Sequence, residues 1–340
     1  MRILLLAHVH APSIGGIETV TRLLAQAWRG AGHVVQIVTQ TAAGDRPASD
    51  EAQIVRRPAA RALVRAFQWA DVVVQNNISL RTLWPVLFMP RPLVILHQTW
   101  LHLDGQGTPW GGWCKRVVSH AATRNAYISR ALAMDDQAAW VTGNPYDAAL
   151  FQLDPETGAR DRDLIFVGRL VSDKGCDDLL HALAILEEHG ERPSLTIVGD
   201  GPERTALESL AGDLNVKERV AFLGSRQGSA LAGLLRRHRI LVVPSRWPEP
   251  FGIVALEGIA CGCNVVASAL GGLPEAVGPH GLLFPNGDRE ALAACLMAAL
   301  HGEGAGGEER ARRREHLARY APDCFARQLL APVQPVEGAI

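Results

Sequence analysis

The sequence predicts an α/β protein made of two doubly wound, mostly parallel-sheet domains. Three observations carry this prediction. At 340 residues the chain exceeds what one ordinary core accommodates. Short apolar runs alternate with amphipathic segments along almost its whole length, the pattern of strands and helices taking turns. The alternation lapses near residues 143–163, where Gly, Pro and Asp dominate and a domain boundary is expected.

The first forty residues read as a strand (RILLLAHV), a loop holding Gly15 and Gly16, a helix (TVTRLLAQAWRGAG) and a strand (VVQIVT). That is a βαβ unit. ADVVVQN, PLVILHQ and a short segment at Ala126–Ser129 supply further strands, so residues 1–150 form the first domain. The second, 151–320, alternates DLIFVGRL, CDDLLHALAILEEHG, SLTIVGD, PERTALESLAGDL, RVAFLG, SALAGLLRRH and ILVVPS. Then come GIVALEGIACG, NVVAS, GGLPEAV, GLLF and DREALAACLMAAL. A C-terminal helix within about 321–340 is expected to pack back toward the first domain.

Composition narrows the function. With 34 basic against 35 acidic residues there is no global electrostatic reason to expect a nucleic-acid partner. The apolar run at the N-terminus is too short for a signal-peptide core, and no stretch approaches the ~18 apolar residues of a membrane span. A cytoplasmic protein is expected. The six cysteines show no CxxC pair, and Cys261 and Cys263 read as small-residue packing in preference to a metal site. No metal and no cofactor is expected.

Two segments carry candidate chemistry. In FVGRLVSDKG a strand ends at Gly168, with Arg169 and Lys174 just beyond. Ligands of open α/β sheets bind past the carboxyl ends of strands, where these cations suit a leaving diphosphate. The alternative is two exposed loop cations. In PSRWPEPFGIVALEGIACG, Glu249 sits between Pro248 and Pro250 before a helix, and Glu257 lies about two turns inside it among apolar neighbours. A carboxylate so placed needs a partner, such as a ribose diol.

The set FVGRL…DKG, LTIVGDGP, VAFLG, VVPS…EPFGIVALEGIACG and GGLPEAV…GLLF resembles the C-terminal domain of retaining GT-B glycosyltransferases. The closest group is that of the bacterial mannosyl- and glucosyltransferases of glycosyltransferase family 4, which also holds sucrose-phosphate synthase. The resemblance implies two Rossmann-like domains facing across a cleft and a nucleoside diphosphate sugar as donor. It implies a glycan or lipid-linked acceptor and transfer with retention. Carried over by matching position, Arg169 and Lys174 would hold the diphosphate, Glu257 the ribose and Glu249 the sugar, beside the backbone of Phe251, Gly252 and Ile253. Gly15 and Gly16 resemble the family's glycine loop, and Gly199 in GDGPER lines the nucleotide side. His97 occupies a position where the family places a histidine reaching the donor sugar, although Gln98 follows where Asp is frequent. Asn144–Asp147 and Phe151 resemble the hinge, with Asn-Pro in place of Asn-Gly.

A nucleotide-sugar epimerase and a silent nucleotide-sugar-binding subunit are the rival readings. Asp161 and Asp163 form a DxD in a linker and are assigned to solvent. Trp100, Trp110 and Trp113, with Lys115 and Arg116 after them, admit two readings: packing or stacking on a soluble sugar, or contact with anionic headgroups at the inner face of the membrane. A second basic stretch for the same membrane reading, Arg56, Arg57, Arg61 and Arg65, is expected on a helix or its approach, with Arg57, Arg61 and Arg65 on one face.

Overall fold

The computed structural model describes residues 1–13, 15–43, 53–100, 109–134, 139–153, 160–302 and 306–333. The chain divides into two units: Met1–Tyr146 with Tyr320–Ile340, and Asp147–Arg319.

In unit 1 the strands are β1 (Arg2–Ala7), β2 (Val34–Thr39), β3 (Ile54–Arg56), β4 (Val72–Asn76), β5 (Leu93–His97), β6 (Arg124–Tyr127) and β7 (Trp140–Val141). They form one parallel sheet in the order β3-β2-β1-β4-β5-β6-β7. The helices are α1 (Gly16–Gly30), α2 (Ala60–Trp69), α3 (Leu80–Leu83), α4 (Pro109–His120) and α5 (Arg130–Ala133). Every residue of β4 and β5 is buried, which is why these strands are apolar runs without alternation. On one face, Leu4, Leu6 and Val73 meet Leu63 and Phe67 of α2, Leu83 of α3 and Val118 of α4.

Unit 2 has six parallel strands: β8 (Arg162–Val167), β9 (Leu195–Val198), β10 (Val220–Gly224), β11 (His238–Val243), β12 (Asn264–Ser268) and β13 (Gly281–Phe284). Their order is β10-β9-β8-β11-β12-β13. Both sheets reverse direction of winding beside their first strand, the arrangement that opens a crevice at the carboxyl ends. The helices are α6 (Cys176–Glu188), α7 (Arg204–Asp213), α8 (Gly228–Arg237), α9 (Ile253–Ala260), α10 (Leu273–Val277), α11 (Arg289–His301) and α12 (Gly307–Ala318). Leu164, Phe166 and Ile197 of the sheet pack against Leu179 and Leu183 of α6 and Leu296 of α11. Two parallel-sheet Rossmann-like units are therefore present, as the alternation predicts.

The last helix, α13 (Pro322–Leu330), belongs to unit 1. Phe325 and Leu329 are fully buried, and the Trp28 indole of α1, 1% exposed, donates to the Ala326 carbonyl at 3.0 Å. Replacing Trp28 with Phe removes the indole N–H that donates to this carbonyl and also leaves a cavity where the larger bicyclic ring packed. It should lower stability by about 2 to 4 kcal/mol, read as a shift in urea midpoint at unchanged slope.

One expected arrangement is corrected. Arg56 ends β3 and its guanidinium donates to the Ala11 carbonyl at 2.8 Å, while Arg57 sits at φ 44 before α2 begins at Ala60. Only Arg61 and Arg65 are on the helix, because Pro58 restrains the residue before it and the helix starts two residues later. All six cysteines are free thiols, and burial pushes Cys261 up to about 12 and Cys263 up to about 11.

Candidate functional site

The carboxyl edge of the unit 2 sheet gathers most of the sequence candidates. β8 delivers Gly168 and Arg169, and a single 3-10 turn, Ser172–Lys174, delivers Lys174. Arg169 is exposed and makes no ion pair among the described residues. Gly175 then turns the chain into α6 at φ 65; a Cβ there would lie 2.0 Å from the Pro244 carbonyl oxygen. Only glycine allows that approach, which sets Lys174 beside the 244–251 loop. Gly199 at φ 147 has the same role on the other side, where a Cβ would fall 1.8 Å from the Gly168 carbonyl oxygen.

The result is an ion pair between Lys174 Nζ and Glu249 Oε1, with both side chains mostly buried. Ser245 Oγ donates to the same Glu249 oxygen at 2.6 Å, and the Glu249 carbonyl accepts from Gly272 N at 2.7 Å. Phe251 is buried and anchors the end of the loop. Gly252, at φ 104, caps α9, whose first residue is Ile253; Ala255 N donates to the Gly252 carbonyl at 2.9 Å, and the amides of Ile253 and Val254 carry no partner within the helix.

Glu257 lies on the second turn of α9. Burial, and secondarily the charge of Asp147, push its carboxyl up to about 7. No hydrogen-bond donor to this carboxylate occurs among the described residues. A mostly buried carboxylate without a donor is held at a cost, which a ligand bringing hydroxyls can relieve.

The unit 1 candidates lie apart in the sequence and form their own set. Gly15 and Gly16 are exposed at the start of α1. His97 is buried at the end of β5, its ring stacked on Tyr127 at 4.6 Å and its Nε2 3.0 Å from Asn125 Oδ1. Burial lowers its pKa against that hydrogen bond, so the ring is neutral, and Nδ1 has no partner among the described residues. Gln98 and Asn144 exchange two amide hydrogen bonds, 2.9 and 3.2 Å, and Gln98 also donates to Asn76. A carboxylate at Gln98 could accept but not return these bonds, which accounts for the departure from Asp at this position.

Both carboxylates of the DxD have protein partners. Asp161 pairs with Arg237 and Asp163 bonds Ser194. No group of three or more His, Cys, Asp or Glu side chains among the described residues is arranged to hold a metal.

A family model described as glycosyl transferases group 1 matches residues 154–322, the span that contains this whole carboxyl-edge cluster. The C-terminal half of the chain belongs to that family. Among curated relatives, an uncharacterized glycosyltransferase of Methanocaldococcus jannaschii is 44% identical over 115 residues, 34% of this chain and 29% of that protein. The glycogen synthase of Mycobacterium tuberculosis is 34% identical over 208 residues, 60% of this chain and 48% of the relative. The chain thus spans less than half the length of these curated relatives. Among solved structures, Anabaena HepE, determined with UDP and glucose, superposes with a TM-score of 0.75 at 20% identity, covering 97% of this chain and 98% of that one. The fold is GT-B.

The sequence reading misses a set of residues that fixes the Glu249 loop. Arg246 donates to Asp178 Oδ2 at 2.6 Å and to Asp177 Oδ2 at 2.7 Å, and Arg289 donates to Asp178 Oδ1 at 2.7 Å. The Asp178 side chain is only 4% exposed. Burial alone would raise its pKa, but the two guanidinium groups hold it below the usual carboxylate range. Asp177 and Asp178 follow Lys174 closely and Arg246 precedes Glu249 closely, so this network tethers the two segments that carry the Lys174–Glu249 pair. The signal available in sequence was the Asp-Asp at a helix start, which reads first as favourable charge at the helix N-terminus.

Proposed function

We propose that the chain is a retaining, metal-independent hexosyltransferase that moves a sugar from a nucleoside diphosphate sugar to a hydroxyl of a glycan or lipid-linked acceptor. The observations that support this best are the pairing of Lys174 with Glu249 and, on the following helix, the Glu257 carboxylate with no hydrogen-bond donor among the described residues. Glu257 accepts hydrogen bonds from the ribose diol. Arg169 and Lys174 meet the charge that grows on the diphosphate as the bond from sugar C1 to phosphate oxygen breaks. Glu249 takes sugar hydroxyls, alongside the amides following Phe251. The acceptor oxygen attacks C1 from the face the diphosphate leaves, and its proton passes to a donor phosphate oxygen. Among the described residues no helix is long and apolar enough to cross a membrane. Within this reading the enzyme works in the cytoplasm, at the inner membrane face, in cell-surface glycan or glycolipid synthesis. The HepE structure holding UDP and glucose supports a donor of this chemical class.

A panel of nucleotide sugars in a thermal-shift assay tests the reading, since a ligand of the native state raises the melting temperature. The best ligand should then release nucleoside diphosphate slowly without acceptor, with a chelator present. Conversion to a different nucleotide sugar with no diphosphate released would make the protein an epimerase instead. Binding with neither outcome, across a panel of acceptors, would make it a silent subunit.

A further inference from the structure

We propose that the Leu87–Phe88 tip and the adjoining α2 helix of unit 1 form a docking surface for an anionic lipid bilayer. The sequence reading placed membrane contact in the tryptophan segment and in the basic stretch Arg56, Arg57, Arg61 and Arg65, but residues 101–108 and the side chains of Trp110, Trp113 and Arg116 lie outside the described residues. The structure adds an apolar tip beside the two arginines that stand on α2. After α3 a 3-10 turn, Trp84–Leu87, leads into Phe88, and both Leu87 and Phe88 are turned to solvent, 60% and 76% exposed. Met89 beside them packs on the core, and Pro85, Pro90 and Pro92 fix the backbone on both sides. The two apolar side chains are therefore held outward by a stiff frame.

The tip is joined to a basic helix. Arg91 donates from Nε and Nη2 to the carbonyls of Phe67 and Gln68, each at 3.3 Å, at the C-terminal turn of α2. That helix carries Arg61 and Arg65 on its exposed side. Among the described residues between Ile54 and Met134, Asp71 is the sole acidic side chain, and it is taken by Arg2 at 2.7 Å. The near-neutral chain hides a strong asymmetry: unit 1 has 15 basic and 10 acidic residues, unit 2 has 19 and 25. The apolar tip thus lies in the basic unit.

Two side chains fall far short of the roughly 800 Å² a side that a stable protein partner needs. Insertion at a headgroup boundary asks for less: an apolar tip with cations beside it. An anionic bilayer is thus the occupant that this shape and charge fit. The inference deepens the membrane part of the proposed function, and its test does not depend on the transfer reaction.

The full chain should pellet with vesicles of mixed phosphatidylglycerol and phosphatidylcholine at low ionic strength, much less with phosphatidylcholine alone, and little in high salt. Leu87→Ser with Phe88→Ser should weaken binding about tenfold or more, and Arg61→Gln and Arg65→Gln about fivefold each. All four residues are exposed, so unchanged circular dichroism and melting temperature are expected and are checked first. Absence of pelleting with anionic vesicles, or pelleting that the Leu87/Phe88 variant retains in full, overturns the proposal. Concentration-dependent self-association by light scattering that the same variant abolishes also overturns it, in favour of a second copy of the chain. Release of nucleoside diphosphate is measured on the same preparations. Vesicle binding without release upholds the surface and counts against the transferase reading; release without vesicle binding does the reverse.

Discussion

Replacing Lys174 with alanine should cut turnover at saturating donor by about a hundredfold or more, and replacing Arg169 should do so to a similar extent. Lys174 is paired with Glu249, and the Gly175 turn leaves its segment little freedom to stand elsewhere. The ammonium is thus already oriented when the donor arrives, and its field acts most on the form with the most charge, the departing diphosphate. The effect should appear in kcat, with the donor binding constant changing less. The two variants differ in the folded state. Arg169 is exposed and makes no ion pair among the described residues, so its loss should leave the melting temperature unchanged. Loss of Lys174 leaves a mostly buried Glu249 with Ser245 as its remaining partner, so a modest fall in melting temperature is expected. Near-normal release of nucleoside diphosphate by either variant would remove that residue from the proposed machinery.

Glu257→Gln should weaken donor binding by about 1 to 3 kcal/mol while making the free protein more stable. The opposite signs have one cause. Folding raises the Glu257 carboxyl from its ordinary value to about 7. The folded state therefore keeps a proton that the unfolded chain gives up near pH 4.5. The stability this lends is present below pH 4.5, declines as pH rises, and is gone above about 7, a difference of about 3 kcal/mol. Glutamine cannot titrate, so the variant should lose this part of the pH dependence and melt higher than the parent at pH 8. Donor affinity should run the other way in the parent and strengthen as pH rises through about 7, because the ribose diol donates to the ionised carboxylate. Calorimetry at two pH values on either side of 7 reads both. Equal donor affinity in parent and variant would dissociate Glu257 from the ribose.

The pattern of legibility follows from what each feature depends on. β2, β12 and β13 run from the first to the last residue of their apolar segments, since a buried parallel strand is an uninterrupted run bounded by breakers. β3 and β7, three and two residues long, and the 3-10 turn at Trp84–Leu87 were not read, being too short to show a period. Glu249 and Glu257 were legible because proline, helix start and carboxylates are neighbours in sequence. Arg246 and Asp178 were not, because partners 68 residues apart meet only when β8 and β11 lie side by side. The environment of His97 was likewise hidden, since Asn125 and Tyr127 reach it from the next strand.

The place of α13 bears on how the protein is made. Unit 2 is continuous in the chain and can close once residue 319 has left the ribosome. Unit 1 is translated first, yet the faces of Trp28, Phe325 and Leu329 meet only after the last helix emerges. The earliest part of the polypeptide must therefore wait with an apolar flank of α1 uncovered while the whole of the other unit is synthesised. A fragment that stops at residue 146 keeps that flank permanently bare, so an isolated N-terminal domain needs the final helix supplied along with it.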